Sequence, residues 1–328
     1  EWKKQFMHRL LCLLFLAPLA VLGQVSWINV DSVFGPLPKN IHVFFSNDSI
    51  NGKPNKAFYL IAPLKERSLD FSVAVGNGKR YTPAEYHQQN NAPLLVVNTT
   101  FFEFVQNRNL NAVVNNGQLL AYNIHSTALR GKDTFTYRHS FAGAIGISKR
   151  RKADIAWLFT DSSAKYPLAA QQAVPHFKDS IAVLTRAQLP AIAIFKKWKM
   201  QTAVAGGPVL IQDGQIKISN NEEQRFAGKQ INDKHPRTAM GYTTDGHIIV
   251  MVVEGRNPGI AEGANLIQLA QLMQSVGCVE ALNLDGGGSS TMLVNGKETI
   301  KPSDKTGQRP VPAVFIISSP KQGQKRLK

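Results

Sequence analysis

Residues 239–253 read AMGYTTDGHIIVMVV, two apolar runs joined by Asp245-Gly246. Asx-Gly suits the positive φ of a tight turn, and the β-branched residues that follow favour strands, so the stretch predicts a hairpin. The same signature recurs three times. Asn116-Gly117 separates NAVVN from QLLAYN, Asp213-Gly214 separates PVLIQ from QIKIS, and Asn295-Gly296 separates TMLV from KETI. Further strands are expected at residues 71–76, 93–98, 142–148, 153–159, 280–284 and 312–318, all short and apolar.

Helix is rarer. In Glu262–Val276, Leu266, Leu269, Ala270, Met273 and Val276 recur at three- and four-residue steps, and Gly277 stands where a C-terminal cap belongs. Ala261 precedes this segment, so the helix is expected to lack a hydroxyl cap. Shorter helices are expected near Pro167–Val174 and Tyr81–Gln89, while Lys178–Leu189 fits no single pattern. No internal repeat, low-complexity tract or Ser/Gly linker divides the chain. The simplest partition is one α+β domain over residues 24–320, mainly antiparallel sheet with hairpins and a few packed helices.

Composition bounds the function. With 43% hydrophobic and 18% charged residues in 328, the chain has a globular profile, which excludes whole-chain disorder. Lys3, Lys4 and Arg9 precede the apolar run Leu10–Leu22, too short to span a bilayer comfortably and laid out as a secretory signal. Residues 1–23 are therefore expected to be a signal peptide, with an uncleaved anchor as the alternative. Export to the periplasm or beyond, in a bacterium, is the implied location, with no stable membrane anchor after cleavage. Cys278 is then the sole cysteine, which rules out an intramolecular disulfide and a thiolate metal cluster.

The net charge of +16 falls by two on loss of the signal and still favours anionic partners. The basic residues are scattered and accompany no nucleic-acid module, so nucleic acid is not an expected partner. Residues 321–328, KQGQKRLK, read as a disordered basic tail.

The chemistry concentrates in NLDGGGSSTM, residues 283–292. It is no Walker loop, no G-x-S-x-G elbow and no dinucleotide fingerprint. Glycines lacking a Cβ let a ligand approach main chain beside Asp285 and the hydroxyls of Ser289, Ser290 and Thr291, or let another strand cross closely. The first reading makes a floor for a sugar or an oxyanion; the second makes a structural turn. Elsewhere, AVAGGPVLIQDG (203–214) holds a glycine pair, HPRTAMGY (235–242) places His235 and Arg237 at a strand mouth, and VVEGRNPG (252–259) carries Glu254 and Arg256. Because the 245–246 turn folds those two strands together, Arg237 and Glu254 are expected near one edge of the hairpin. VVNTTFFEF (96–104) adds Asn98 and an aromatic pair.

Taken together, Asn98 with Phe101-Phe102, Ala205-Gly206-Gly207-Pro208, His235-Pro236-Arg237-Thr238-Ala239, Glu254-Gly255-Arg256 and the Asn283–Thr291 run resemble the phosphodiester glycosidase family over about residues 70–318. The resemblance is to the domain of the enzyme that uncovers mannose 6-phosphate, shared by many bacterial envelope proteins. Two departures bear on activity: Thr99-Thr100 stands where the family has small residues, and Glu254 where it often has Asp.

The resemblance implies hydrolysis of a sugar-1-phosphodiester to free sugar and a phosphomonoester. Such a bond sets an anionic phosphate beside an acetal carbon, so its cleavage wants a carboxylate for the oxocarbenium ion and cations for the departing phosphate. Asp285 is expected as nucleophile or base, Glu254 as second carboxylate, Arg237 with Arg256 as phosphate clamp and His235 as an assisting acid. Asn98 and the amides of Gly206, Gly207, Gly286, Gly287 and Gly288 are expected to hold sugar or phosphate, with Phe101 or Phe102 as a stacking wall and the other in the core. Bland alternatives remain: a cross-strand Arg237–Glu254 ion pair, Asp285 as a turn cap, or a non-catalytic glycan-binding or exopolysaccharide-assembly module. Ser289 lacks an adjacent base for a covalent role. No EF-hand or His-rich spacing suggests a metal, and no cofactor is expected.

Overall fold

The computed structural model describes residues 25–319; the expected signal segment 1–23 and basic tail 321–328 lie outside the described residues. The fold is α+β and dominated by antiparallel strands, with four α-helices among the described residues. Its largest sheet has eight strands in the order Ile28–Asn29, His42–Ser46, Lys56–Pro63, His247–Glu254, Arg237–Thr243, Cys278–Asn283, Val209–Gln212 and Gln215–Ile216. A seven-stranded sheet is built around Ala142–Ile147, which pairs with Ala153–Phe159 and Thr202–Ala205. A five-stranded sheet runs Lys297–Glu298, Met292–Val294, Leu95–Asn98, Ala313–Ser318 and Asp70–Val75.

The unbroken apolar run IIVMVV explains itself in the first sheet. Ile248, Val250 and Val252 enter one hydrophobic core, while Ile249, Met251 and Val253 enter another beneath the helix Leu266–Ser275. A strand buried on both faces needs no polar alternation. Each fully buried Val, Ile or Met contributes roughly 1.5–3 kcal/mol, which makes this strand a major anchor of both layers.

All four Asx-Gly turns join antiparallel neighbours. In three of them both turn residues take positive φ: Asn116 and Gly117 (50° and 71°), Asp213 and Gly214 (49° and 76°), Asn295 and Gly296 (48° and 77°). At the fourth only Gly246 does, at 87°, because the connection is one residue longer and Tyr242 faces Ile248.

Two local expectations need correction. The long helix starts at Leu266, four residues later than its periodicity suggests, because Asn265 closes a capping box with Gln268 and replaces the missing hydroxyl cap. Residues 167–174 form no helix; Leu168–Ala170 is a strand paired with both Ala153–Phe159 and Lys196–Lys197, so tertiary pairing overrides alanine's helical preference. The ambiguous 178–189 stretch completes the strand Phe177–Asp179 and makes a 3₁₀ turn at Arg186–Gln188. The helix Pro83–Gln89 forms as expected, with a Thr82–Glu85 capping box. Among the described residues no helix is long and apolar enough to cross a membrane.

Candidate active site

Three segments converge where the Arg237–Thr243 and Cys278–Asn283 strands lie side by side. Antiparallel pairing sets Ala239 opposite Asn283, so the entrance of one strand meets the exit of the other, bringing Arg237 and Asp285 to one place. Main-chain bonds extend that pairing: Leu284 donates to the Thr238 carbonyl at 2.9 Å and Gly287 to Pro236 at 2.8 Å. The strand Leu95–Asn98 delivers the third segment. The Asp285 amide donates to the Thr99 carbonyl at 2.8 Å.

Asn98 clasps all three and is fully buried. Its Nδ2 donates to the Asp285 carbonyl (2.7 Å), while its Oδ1 accepts from the Thr238 hydroxyl (2.8 Å) and the Thr291 amide (3.1 Å). The side chain expected to hold substrate is thus committed to the protein.

A cavity of about 420 Å³ opens here, lined by Asp285, Gly286, Gly287, Arg237, Arg256, His235, Asp233, Gln230, Phe101 and Phe226. Asp285 is the central acid. Burial pushes its carboxyl up to about 6, against the opposing pull of hydrogen bonds from Ser289 and the Gly286 amide and of the Arg309 and Arg225 charges. Arg237 is almost wholly buried. Its Nε donates to the Ala264 carbonyl and its Nη2 to that of Asp233, both at 2.9 Å, and the guanidinium sits 5.6 Å from the Phe226 ring centre. Burial and the neighbouring Arg256 bring its pKa down to about 10, which leaves it cationic at neutral pH. Burial, then Arg237 and Arg256, hold His235 below its usual range, which favours the neutral ring. An Arg256 Nη2 lies 3.5 Å from His235 Nδ1 and can only donate, which makes that nitrogen an acceptor. A neutral imidazole is a poor general acid, so the lowered pKa weighs against the acid role expected for it.

The glycine triplet is filled by its neighbours. A methyl on Gly286 would come 2.7 Å from the Pro236 carbonyl oxygen, one on Gly287 2.9 Å from Arg256 Nη2, and one on Gly288 2.2 Å from Arg309 Nη2. Two of the three absent side chains therefore make room for guanidinium groups, and the third for main chain. The Gly287 amide is spent on Pro236 and is no ligand donor.

Glu254 does not join this cavity. Arg237 pairs with Val253, and period-two alternation puts the next residue on the other face of the sheet. The buried Glu254 carboxylate accepts from the Lys301 amide at 3.1 Å and from Asn257 Nδ2 at 3.4 Å. Among the described residues it forms no ion pair with Arg237, so neither the second-carboxylate nor the ion-pair expectation matches its position. Gly206 and Gly207 are also turned inward, their amides donating to the Gly143 and Asn283 carbonyls at 2.9 and 2.8 Å. Phe101 lines the cavity, whereas Phe102 packs in a small core with Tyr86, Val96 and Val314. Ser289, Ser290 and Thr291 are fully buried; Ser289 supports Asp285, and Ser290 lies 3.1 Å from the Thr238 hydroxyl.

Several residues of the site carry no motif. Arg225 stacks on Phe101 at 4.6 Å, donates to the Gly206 carbonyl at 3.3 Å and acts electrostatically on Asp285. Arg309 is fixed by Asp304 at 2.7 Å and reaches Ser289 Oγ at 3.4 Å. Behind them Glu223, fully buried and held above the usual carboxylate range by desolvation, accepts from the Gly143 and Val209 amides, Ser219 and Trp157. Asp233, two residues before His235, was the one legible addition: an acid beside a recognised segment.

The fold, an antiparallel α+β scaffold whose cavity sets two acids beside two arginines, defines a class that the chain's relatives make explicit. The family model described as phosphodiester glycosidase matches residues 90–318. The chain belongs to the phosphodiester glycosidase family. It is 32% identical over 102 residues to mouse N-acetylglucosamine-1-phosphodiester alpha-N-acetylglucosaminidase, covering 31% of this chain and 19% of that one. It is 39% identical over 120 residues to the SPbeta prophage-derived uncharacterized protein YomE of Bacillus subtilis (strain 168), covering 37% and 18%. The matches thus span about a fifth of those relatives' length. In structure, the catalytic domain of zebrafish N-acetylglucosamine-1-phosphodiester alpha-N-acetylglucosaminidase, auto-inhibited by its pro-peptide, superposes with a TM-score of 0.58 at 19% identity, covering 90% of this chain and 88% of that one. A hypothetical protein from Synechocystis gives 0.59 at 15% identity, covering 90% and 64%. At these identities the superpositions speak to the fold alone; family membership supports a hydrolase-like role.

Proposed function

We propose that the protein is an exported hydrolase that cleaves the glycosidic C–O bond of a sugar-1-phosphodiester, releasing free sugar and a phosphomonoester. The observation that carries this reading is the cavity itself, where the Asp285 carboxyl shares a wall with the Arg237 and Arg256 guanidiniums. A diester presents those groups with one reacting carbon and one anion. Arg237 and Arg256 bind the phosphate oxygens, for which a planar fork is suited, and stabilise the charge that gathers there as the bond breaks. The bonding pair of the C–O bond leaves with the phosphate. Water supplies hydroxide to the anomeric carbon and its proton ends on the phosphomonoester or solvent.

Asp285, ionised above about pH 6, either accepts the water proton or attacks the anomeric carbon first. Asp233 is the second carboxylate of the cavity and takes the role earlier expected of Glu254. Neutral His235 steadies Arg256, and Phe101 walls the sugar. Export is supported by the basic and apolar segment at the N-terminus.

The test is turnover of a panel of sugar-1-phosphodiesters by wild type and Asp285→Asn in ¹⁸O water. Label in the sugar, lost in Asp285→Asn while substrate still binds, is the expected result. Label in the phosphate, or binding without turnover by wild type, defeats the hydrolytic reading; the latter makes the protein a glycan-binding module.

A further inference from the structure

A second cleft of about 450 Å³ borders the short ribbon formed by Phe102–Glu103 and Arg108–Asn109. Its chemistry differs from that of the Asp285 cavity. Five of the ten residues lining the first are Asp, His or Arg, whereas Arg108 is the one Asp, Glu, His, Lys or Arg among those lining the second. Along one side Leu120, Tyr122 and Ile124 follow at two-residue spacing, 43%, 40% and 43% exposed. Amides line the same cleft. Asn107 donates to the Gly78 carbonyl at 3.1 Å and ties the ribbon to the 76–79 turn, while the side chains of Asn77 and Gln106 and the Tyr122 hydroxyl make no hydrogen bond among the described residues.

An exposed apolar surface and unused amides in one cleft are what a sugar ring requires: its C–H face packs on Tyr and aliphatic surface, and its hydroxyls exchange hydrogen bonds with amide groups. Near absence of charge selects neutral units. The ribbon also connects the two cavities. The Phe101 carbonyl accepts from the Leu110 amide at 2.8 Å, the Phe101 amide donates to Asn111 Oδ1 at 3.2 Å, and the Thr100 hydroxyl bonds the Asn109 side chain. One end of this segment thus walls the Asp285 cavity and the other lines the second cleft.

We infer that the second cleft binds neutral sugar units, and that it seats the part of an oligomeric glycan lying beyond the phosphodiester held at Asp285. The second clause rests on the reading of the Asp285 cavity given above.

Two measurements test this. Binding of neutral oligosaccharides (gluco- and N-acetylglucosamine hexamers) is followed by saturation-transfer NMR with wild type, Tyr122→Ala, Gln106→Ala and Asp285→Asn. Loss of an aromatic anchor is expected to weaken binding by about tenfold in Tyr122→Ala, with Asp285→Asn unchanged. Hydrolysis is then compared on a phosphodiester-bearing oligosaccharide and on a small sugar-1-phosphodiester. Tyr122→Ala is expected to raise KM about tenfold on the first and leave the second unaltered. Binding that is absent in wild type, or equal in Tyr122→Ala, overturns the inference, as does an extended peptide shifting amides 118–121 where no sugar does. If wild type hydrolyses no diester, the reading of the Asp285 cavity fails, while the binding arm still decides the cleft.

Discussion

Arg256 lies flat against Gly287, so that a methyl at that glycine would approach Nη2 to 2.9 Å. The contact joins the loop after one strand to the turn after another, and it puts a cation at the cavity mouth. Gly287 takes a φ of +61° and Gly286 does not. The two glycines therefore resist substitution for different reasons. Gly287→Ala pushes the free end of a flexible side chain and costs about 1 kcal/mol for its left-handed backbone. Its expected signature is a raised KM for diester with a small fall in Tm. Gly286→Ala instead meets the Pro236 carbonyl at 2.7 Å, where main chain cannot yield, and overpacking of this kind costs about 1–3 kcal/mol. Urea unfolding of both variants should rank Gly286→Ala as the less stable.

On the proposed reading, the raised carboxyl of Asp285 sets the acid limb of activity. If its ionised form is the working form, kcat/KM falls tenfold per pH unit below about 6. Stability moves the opposite way. The folded state holds this proton more tightly than the unfolded chain does, so the penalty for ionising Asp285 grows as pH rises from about 4 to 6 and is constant above. Asp285→Asn is thus expected to gain stability relative to wild type across that window, by on the order of 1–3 kcal/mol at pH 7. Denaturant titrations at pH 4 and pH 7 measure the difference; a gain that is equal at both contradicts the assignment.

Glu254 and Asp233 exchange expectations. Glu254→Gln keeps an acceptor for the Lys301 amide and is expected to retain kcat within about twofold, with at most about 1 kcal/mol of destabilisation. Asp233→Asn is expected to lower kcat at least about tenfold without a matching loss of Tm, as steady-state kinetics beside thermal unfolding would reveal.

Asn98 carries a stability prediction. Asn98→Ala strands the Asp285 carbonyl and the Thr291 amide in a buried place, at about 1–3 kcal/mol for each group that water does not reach, while the Thr238 hydroxyl keeps Ser290 Oγ. A fall in the urea midpoint accompanied by loss of activity is expected. Retained stability would mean that the three segments converge without the clasp.

Much of this was legible in residue order. The Asx-Gly pairs locate the hairpins, and the two-sided strand His247–Glu254 announces itself as an unbroken apolar run. Meeting of the 98, 237 and 285 segments was implied by the family resemblance alone. Parity was not legible: whether Arg237 faces Val253 or Glu254 depends on a one-residue choice of register that the turn's length decides. Nor were the long-range fillers. Arg225 and Arg309 are isolated basic residues in loops, and only folding reveals that each is brought beside a distant aromatic or glycine. The glycines themselves suggested open backbone for a ligand, because the sequence does not say which neighbour fills a missing Cβ.

Arg237 is aimed by two peptide oxygens, those of Asp233 and Ala264, and forms no ion pair with a carboxylate among the described residues. Peptide oxygens are supplied by every amino acid, so drift in the identity of residue 264 leaves this cation where it is. Its aim is instead vulnerable to changes in spacing: one residue inserted or removed between 233 and 237 would rotate the oxygen away. The pocket's charge is thereby insulated from substitution and exposed to length variation, which leaves the surrounding side chains free to diversify toward new ligands.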